Sequence, residues 1–550
     1  MYENLCSNIK DNLLNLVSIK SDTGTRLERK IEFFIHDQLS RINYYKENTE
    51  LYGAYKLEKD HLERAIVWSL VKGKGKDTVI LLHHHDAVDA DDYRQLSKFA
   101  YDPDALSNEL KKLSLSEEVR KDLEGNEWIF GRGTADMKAG AAIQLSLIEK
   151  YSKKTNFNGN ILLLSVPDEE NLSLGMREAV KLLNKLKKSF NLEYKLLINS
   201  EPHGRREDEI ATLYEGSAGK VTPLIYVRGK QTHILDVFQG INPIALLSEV
   251  IKRSEMNLDF VDKVGKEQSP PPAWINTRDR KIAYDISIPQ AAGGYLNVIT
   301  LNSSPKEVIN KIKNICESSF SEAIEIIREK YKKYESLVEK DIVDMKIPWK
   351  VNVKDFSEVY KQAYNKYGNV FIEDYKRAMD EVKRKIENND INMQEGTFEL
   401  IEKTLEYIDD FSPIMVIAVS PPYYPNVSNI TMENLSEMVL NLNQEISKYS
   451  KEKWNISYEK QNYFMGISDM SYVSLSDSME DVSSIGDNMP LWDNIYSIDF
   501  KGIKSLNIPV MNIGPWGKDI HKFSERVFKK DVYERVPELI EFTIKKILNQ

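Results

Sequence analysis

The fold is decided by the segment Thr78-Val-Ile-Leu-Leu-His-His-His-Asp86, in which a short β-branched and aliphatic run ends abruptly in polar side chains. Similar apolar runs recur at 160–166, 194–199 and 510–513. Amphipathic patterns typical of helices separate these runs. Because short apolar strands that alternate with helices form a sheet covered by helices, we predict an α/β domain with a mixed, mostly parallel sheet.

The pattern changes beyond about residue 215. Apolar periodicity there predicts strands and helices in alternation, at 220–227, 243–253, 281–289 and 305–333. This order is typical of a smaller α+β domain inserted into the first one.

A third region, residues 336–411, is rich in Lys, Glu, Asp and Tyr. The heptad-like spacing of Val359, Ala363 and their neighbours predicts helices, and we interpret the region as a helical insertion within the smaller domain. The predicted domains are therefore 1–215 together with 428–550, and 216–427.

Composition excludes several classes of function. The chain has 550 residues, enough for two or more domains, and 75 basic against 85 acidic residues leave a net charge of −10. The sequence lacks a basic patch with interleaved aromatics, so we expect no nucleic-acid partner. Two distant cysteines, Cys6 and Cys316, fit a reducing compartment. Without a signal-peptide core or an apolar stretch near 20 residues, we expect a cytoplasmic protein with no membrane contact and a small-molecule partner.

The histidines and acids gather where predicted strands end. Of eight histidines, six lie at strand ends or in Gly-rich turns. Because open α/β sheets bind ligands at the carboxyl ends of their strands, these segments are expected to share one edge. The five segments are 83–86, 131–140, 167–170, 200–203 and 514–521.

Metal ions would explain this concentration of acids. Carboxylates in one crevice repel each other unless cations lie among them. Two histidines and three carboxylates suit two divalent ions about 3.5–4 Å apart with a bridging carboxylate, an arrangement that hydrolyses bonds. Neighbouring side chains on an extended segment point in opposite directions, so of Glu169 and Glu170 one can bind metal while the other serves as a general base.

Four longer motifs extend the pattern over nearly the whole chain. Together they resemble the M20 family of co-catalytic zinc aminoacylases and carboxypeptidases, and within it the RocB-type arginine-utilisation proteins. The resemblance implies a zinc-peptidase-like catalytic domain with an inserted lid domain. The motifs are Pro167-Asp-Glu-Glu-Asn-Leu-Ser-Leu-Gly-Met176, Pro421-Pro-Tyr-Tyr-Pro425, Gly466-Ile-Ser-Asp-Met-Ser-Tyr472 and Gly514-Pro-Trp-Gly-Lys-Asp-Ile-His-Lys522.

The resemblance also implies two divalent metal ions per chain, with zinc expected and Mn²⁺ or Co²⁺ as alternatives. Asp136 would bridge both ions, and its peptide bond to Met137 would be cis. Glu169 would act as general base, and Asp86 would orient His84. The implied ligands are His84, Asp136, Glu170, Glu201 and His521.

The lid carries further implied residues and one departure. His233 matches a histidine that stabilises the oxyanion, and Asn242 matches a substrate-binding asparagine, although it could simply cap a helix. Ser287 stands where many relatives have an arginine that grips the substrate carboxylate. Arg278 or Arg280 could substitute for that arginine, as could a residue of the insertion. The resemblance also implies that a homodimer could form through an exposed strand edge of the lid, with the alternative that the insertion caps this edge.

The sequence thus predicts a metal-dependent hydrolase of an amide bond in an N-acyl amino acid or small peptide, with a role in arginine catabolism implied by the resemblance alone. His83 and His85 flank the ligand and are not expected to bind metal. One alternative is a binding or regulatory protein that keeps the fold without turnover. Another is a hydrolase with only one metal ion.

Overall fold

The computed structural model describes residues 2–154, 156–205, 210–337 and 348–549. The chain divides into two compact units. The first comprises Met1–Ser217, Val427–Ser476 and Asp499–Gln550, and the second comprises Ala218–Asn426 and Asp477–Ile498.

Strands occur throughout both units. In chain order they are β1 (Tyr52–Lys56), β2 (Ala65–Lys72), β3 (Lys74–His84), β4 (Trp128–Phe130), β5 (Asn158–Val166), β6 (Glu193–Asn199), β7 (Ile210–Tyr214), β8 (Gly216–Ser217), β9 (Gly219–Val221), β10 (Pro223–Arg228), β11 (Lys263–Val264), β12 (Glu267–Gln268), β13 (Ala273–Asp279), β14 (Ala291–Thr300), β15 (Val353–Asp355), β16 (Ile414–Val419), β17 (Val427–Ser428), β18 (Ser457–Gln461), β19 (Val510–Asn512), β20 (Gly517–Lys518) and β21 (Arg526–Phe528).

The helices range from one turn to more than eight turns. They are α1 (Tyr2–Ser18), α2 (Glu28–Arg41), α3 (Asn43–Glu47), α4 (Pro103–Leu110), α5 (Glu117–Glu124), α6 (Ala139–Ser152), α7 (Leu174–Ser189), α8 (Pro243–Ser254), α9 (Pro305–Glu335), α10 (Phe356–Tyr367), α11 (Asn369–Glu387), α12 (Met393–Leu405), α13 (Glu437–Trp454), α14 (Met479–Asn488), α15 (Phe500–Leu506) and α16 (Val536–Ile547).

The first unit is built on an eight-stranded sheet with the order β1-β2-β5-β3-β6-β19-β7-β18. Its central strands β5, β3, β6 and β19 are parallel to one another, and β2 joins β5 antiparallel. Residues 79–82 of β3 are fully buried, as expected for a parallel strand covered by helices on both faces. The predicted α/β fold with a mixed, mostly parallel sheet is therefore confirmed.

The second unit is built on a sheet with the order β13-β14-β10-β16-β15, and β9 also pairs with β14. One face of this sheet, with Leu224, Tyr226 and Val416, packs in a buried cluster with Phe371 and Phe398. These two aromatic residues come from α11 and α12. The region predicted as a helical insertion thus contains three helices that cover this sheet face; residues 338–347 of it lie outside the described residues.

Two details of the sequence interpretation were wrong. The first domain was predicted to contain all of 428–550, but the segment Asp477–Ile498 belongs to the second unit. There the hydroxyl of Tyr375 donates to the Pro490 carbonyl at 3.1 Å, and the Ser357 N–H donates to Asn488 at 3.1 Å. This segment packs on the insertion helices, a contact that local periodicity does not encode.

The second error concerns the predicted strand at 281–289. The strands lie on either side of it, as β13 and β14. Ile282, Tyr284 and Ile286 alternate as they would in a half-buried strand, yet all three are exposed. The alternation therefore does not reflect burial in a core.

Among the described residues, the helices are either too short or too polar to cross a bilayer.

Candidate metal centre

Four parallel strands of the first unit end at the same edge of the sheet. In the register of the sheet, Leu82 of β3 lies beside Leu164 of β5 and Asn199 of β6, and Asn199 lies beside Asn512 of β19. The residues that follow these strands therefore lie close together. This arrangement brings segments hundreds of residues apart into one cluster.

His84 lies at the centre of the cluster and is fully buried. Its Nδ1 is 3.1 Å from the main-chain oxygen of Asp86 and 3.4 Å from the carboxylate of the same residue. Its Nε2 faces Asp136 at 2.9 Å and Glu201 at 3.3 Å. A ring that donates from Nδ1 to Asp86 presents its Nε2 lone pair to the carboxylates, which is the orientation of a metal-binding histidine.

Asp86 joins the histidine segment to the Asp-Glu-Glu turn. Its two carboxylate oxygens accept hydrogen bonds from the main-chain N–H groups of Glu169 and Glu170, each at 3.1 Å. Burial alone would raise the pKa of Asp86, but its contacts with His84 outweigh burial and lower that pKa to about 2. Asp86 is therefore a fixed anion that holds both the ring and the turn.

Asp136 lies between two imidazoles. One carboxylate oxygen is 2.9 Å from Nε2 of His84, and the other is 3.3 Å from Nε2 of His521. The buried carboxylate of Glu525 accepts hydrogen bonds from the N–H groups of Ala135 and Asp136, at 3.1 and 3.3 Å. The peptide bond that follows Asp136 is cis, as the resemblance implied. Asp136 thus presents one carboxylate oxygen to each histidine, and its predicted bridging role stays a prediction.

Glu170 and Glu201 complete the two ends of the cluster. A carboxylate oxygen of Glu170 is 3.0 Å from Nε2 of His521, whose side chain is half exposed. The main chain of Glu201 is held by Asn512, which accepts from its N–H and donates to its carbonyl, both at 2.8 Å. Each predicted carboxylate ligand is thus within reach of a histidine.

Two overlapping groups have donor atoms within 4.8 Å of one another and could each hold an ion. One consists of His84, Glu169 and Glu201, and the other of His84, Asp136 and Glu170. The structure therefore brings together the predicted base Glu169 and the predicted ligands, although which of them bind metal stays a prediction.

The electrostatics of the cluster favour bound cations. Burial raises the pKa of Glu201 to about 8, with the neighbouring Asp136 adding to the effect. Burial also raises the pKa of Glu169 well above its usual value and raises that of Glu170. Hydrogen bonds to Asp136 and Glu170 raise the pKa of His521 to about 10. The imidazoles thus compensate the acids only in part, and divalent ions would supply the missing positive charge.

The donor chemistry also fits such ions. Imidazole nitrogens and carboxylate oxygens are the ligands that zinc, manganese and cobalt accept in co-catalytic sites. The residues present therefore suit the metal ions that the resemblance implies.

Sequence reasoning missed two buried acids of this region. Glu525, four residues after His521, holds the loop of Asp136. Asp469 is buried, and burial raises its pKa to about 7, an effect that the neighbouring His84 and a hydrogen bond from the Ser173 hydroxyl oppose only in part. Asp469 stands inside the motif 466–472, which carried the resemblance but suggested no role for this residue.

His83 and His85 make contacts of their own. Nδ1 of His83 is 2.9 Å from the side-chain oxygen of Gln144, and burial lowers the pKa of this histidine to about 3. Nδ1 of His85 is 2.9 Å from the hydroxyl of Ser165. Among the described residues, neither belongs to a group that could hold an ion.

The remaining predicted site residues belong to the second unit. His233 is exposed, and its Nδ1 accepts from the N–H of Leu235 at 3.3 Å. Asn242 caps α8 by accepting from the N–H of Ile244 at 3.0 Å, which is the structural role that the sequence left open. Their roles toward a substrate stay predictions.

The two arginines of the second unit have carboxylate partners. Arg278 pairs with Glu395. Arg280 pairs with Glu395 at 2.6 Å and with Glu402 at 2.8 Å. Both acids come from α12 of the insertion, so this helix neutralises the arginines that were candidates to bind a substrate carboxylate.

Comparisons with known proteins give a consistent result. A sequence model of peptidase family M20/M25/M40 matches residues 99–536. The chain is 32% identical to the uncharacterized protein YqjN of Bacillus subtilis (strain 168), over 98% of this chain and 97% of YqjN. It is 27% identical to protein RocB of the same organism, over 96% of this chain and 93% of RocB. Among solved structures, the fold is similar to that of the dipeptidase Dug1p from Saccharomyces cerevisiae, with a TM-score of 0.52, 11% identity, and coverage of 100% of this chain and 97% of Dug1p.

Proposed function

The chain belongs to peptidase family M20/M25/M40 and is a hydrolase of peptide or amide bonds, and from this premise we propose that it cleaves the amide bond of a small amino-acid-derived substrate with two divalent metal ions. The substrate would be an N-acyl amino acid or a short peptide, and zinc is the proposed metal. The resemblance to RocB-type proteins supports an arginine-derived substrate.

One observation carries this proposal. The single ring nitrogen Nε2 of His84 lies 2.9 Å from Asp136 and 3.3 Å from Glu201, although these residues come from separate segments of the chain. A second histidine, His521, approaches the other oxygen of Asp136. Two imidazoles on either side of one carboxylate match a dinuclear centre better than a set of structural ion pairs.

The residues of the chain divide the chemistry among them. Two divalent ions bound here would polarise the substrate carbonyl and lower the pKa of the attacking water. The partly buried carboxylate of Glu169, with its raised pKa, is suited to take a proton from that water and return it to the leaving amine. Asp86 holds His84 and the backbone of Glu169 in place. His233 is proposed to stabilise the oxyanion.

We also propose a cytoplasmic location and a homodimer formed through the second unit. The net charge of −10 and the two cysteines support the former, with no nucleic-acid or membrane partner. The strand β13 lies at the edge of its sheet and exposes Ile275, which supports pairing with another copy. Sedimentation analysis tests this assembly: a monomer for both wild type and Ile275→Lys would contradict it.

A binding or regulatory protein is the second candidate. It is favoured by Ser287 in place of the lid arginine and by the pairing of Arg280 with two glutamates. Such a protein would bind both metal ions without turning over any substrate.

The decisive experiment compares wild type with Glu169→Gln after zinc loading, on a panel of N-acetyl, N-succinyl and N-formyl arginines and arginine dipeptides. We expect turnover by wild type and a loss of about 10²–10⁴-fold in the variant, the usual contribution of a general base, with two ions bound in both. Two bound ions without turnover would favour the binding protein. Stoichiometry near one ion would favour a mononuclear hydrolase.

A further inference from the structure

The turn that carries Glu169 and Glu170 begins with a residue under backbone strain. Asp168 adopts a left-handed backbone conformation with φ of +71°, which costs free energy for a residue other than glycine. Its carbonyl accepts from the N–H of Ser173 at 2.7 Å, and its carboxylate accepts from the N–H of Leu174 at 3.0 Å. The surrounding structure must hold this conformation in place.

A buried arginine provides that support from within the first unit. The guanidinium of Arg64 donates to the carboxylate of Asp168 at 2.7 Å and to that of Glu28 at 2.8 Å. The other oxygen of Glu28 accepts from the main-chain N–H of Asp168 at 2.9 Å. Glu28 and Arg64 thus grip both the side chain and the backbone of Asp168.

Arg64 is itself fixed. It holds Asp60 with two hydrogen bonds, at 3.0 and 3.2 Å, in the fork geometry that only a guanidinium can form. The side chains of Arg64, Glu28, Asp60 and Asp168 are all at least 96% buried. Arg64 is therefore held in a fixed position, from which it supports the turn at Asp168.

The turn is consequently held from two sides. Asp86 accepts from the N–H groups of Glu169 and Glu170, while Arg64 and Glu28 grip the preceding residue. The direction in which both glutamate side chains leave the backbone depends on these contacts. Neither Arg64 nor Glu28 belongs to a group that could hold an ion in the described part of the chain.

We infer that Arg64 and Glu28 are positioning residues for the metal centre, which act through Asp168 to place Glu170 beside His521 and Glu169 beside His84 and Glu201. This inference rests on the proposed function, because Arg64 and Glu28 can position metal ligands only if the centre binds metal. Partners of this kind, one step removed from the ligands, typically change metal affinity or activity by about 10–100-fold when they are replaced.

The test measures Co²⁺ binding by visible absorption, which reports ligand number and geometry, together with calorimetric titration. The variants are Arg64→Met, Arg64→Lys and Glu28→Gln. Lys150→Met is the matched control, because it removes a largely buried ion pair with Glu541 in the same unit, away from the turn. Circular dichroism establishes that each variant is folded.

We expect a changed Co²⁺ spectrum and about 10–100-fold weaker binding of one of two ions in the Arg64 variants, with wild-type behaviour in Lys150→Met. Where a substrate is available, kcat should fall while KM changes less than about 3-fold, because the network does not contact substrate. Arg64→Lys keeps the positive charge but cannot form the paired hydrogen bonds of a guanidinium. This variant therefore distinguishes the effect of the charge from that of the hydrogen-bond geometry.

Folded Arg64→Lys and Glu28→Gln variants with wild-type spectra and affinities would overturn the inference. Loss of the fold in all three variants would also overturn it, since the network would then serve global stability alone. Wild-type protein that binds no Co²⁺ would refute the proposed function first, before any variant is considered.

Discussion

Buried charge is compensated differently in the two units. In the second unit the arginines on the sheet have carboxylate partners, whereas the carboxylates at the sheet edge of the first unit are only partly compensated. Arg280 is paired with Glu395 and Glu402, so the charge of the guanidinium is matched by the protein itself. At the sheet edge, by contrast, burial raises the pKa of Glu201 to about 8 and that of Asp469 to about 7, so the surrounding protein does not fully compensate these carboxylates.

This difference in charge compensation indicates that the arginine cluster of the second unit is structural and that the carboxylate cluster of the first unit is functional. A protein that satisfies its own charges needs no ligand to stabilise them, whereas uncompensated buried carboxylates indicate a place where cations bind. The same reasoning argues against Arg278 and Arg280 as the groups that bind a substrate carboxylate. Both already form ion pairs with glutamates of α12, a helix of the insertion.

The largest effect is expected from Asp136→Asn, which removes the negative charge between His84 and His521 and so tests whether the carboxylates of the first unit bind cations. An amide offers one neutral oxygen, so it cannot bridge two ions, and we expect at most one bound ion and no detectable turnover. Elemental analysis and steady-state kinetics measure both. The control is Glu541→Gln, a buried glutamate paired with Lys150 in the same unit, which should keep two ions. Two ions in both variants would contradict the bridging role.

A smaller effect is expected from Asp469→Asn in metal-free protein. The pKa of Asp469 is raised to about 7, above the value near 3.9 of an unfolded aspartate, so its contribution to stability is present below about pH 4 and is lost as pH rises through 7. The variant should therefore melt a few degrees above wild type at pH 8 and near wild type at pH 4.5. Thermal melts at both pH values test this, and a constant difference would contradict it.

The smallest effect is expected from Arg278→Ala. Its side chain is about half exposed and forms an ion pair of the surface type with Glu395, so the loss of stability should be about 0–1 kcal/mol. We expect KM for substrates with a free α-carboxylate to change less than about 3-fold. A rise of KM restricted to such substrates, and absent for their α-amide analogues, would instead show that Arg278 replaces the missing lid arginine.

Much of the candidate site was predictable because metal chemistry concentrates rare residue types at strand ends. This concentration marked the segments, whereas the individual residues His84, Asp136, Glu170, Glu201 and His521 were implied by the resemblance to the M20 family. Glu525 and Arg64 could not be named from the sequence, because their contacts join segments as far as 390 residues apart and no local pattern marks which buried acid meets which backbone N–H.

The same limit explains the errors in the fold. Alternation at 281–289 predicted a strand, but periodicity reports only which side chains are apolar, and these face solvent. The segment Asp477–Ile498 follows a stretch of the first unit yet packs in the second, a choice made by its contacts with the insertion helices.

By itself, the sequence determined the α/β class, the family and the set of residue types that can bind metal, because apolar period and short motifs are local properties. Only the tertiary structure decided which ring nitrogen faces which carboxylate, and which charges are matched within the protein. Those features depend on register between distant strands and on buried hydrogen bonds, which form only when the chain is folded.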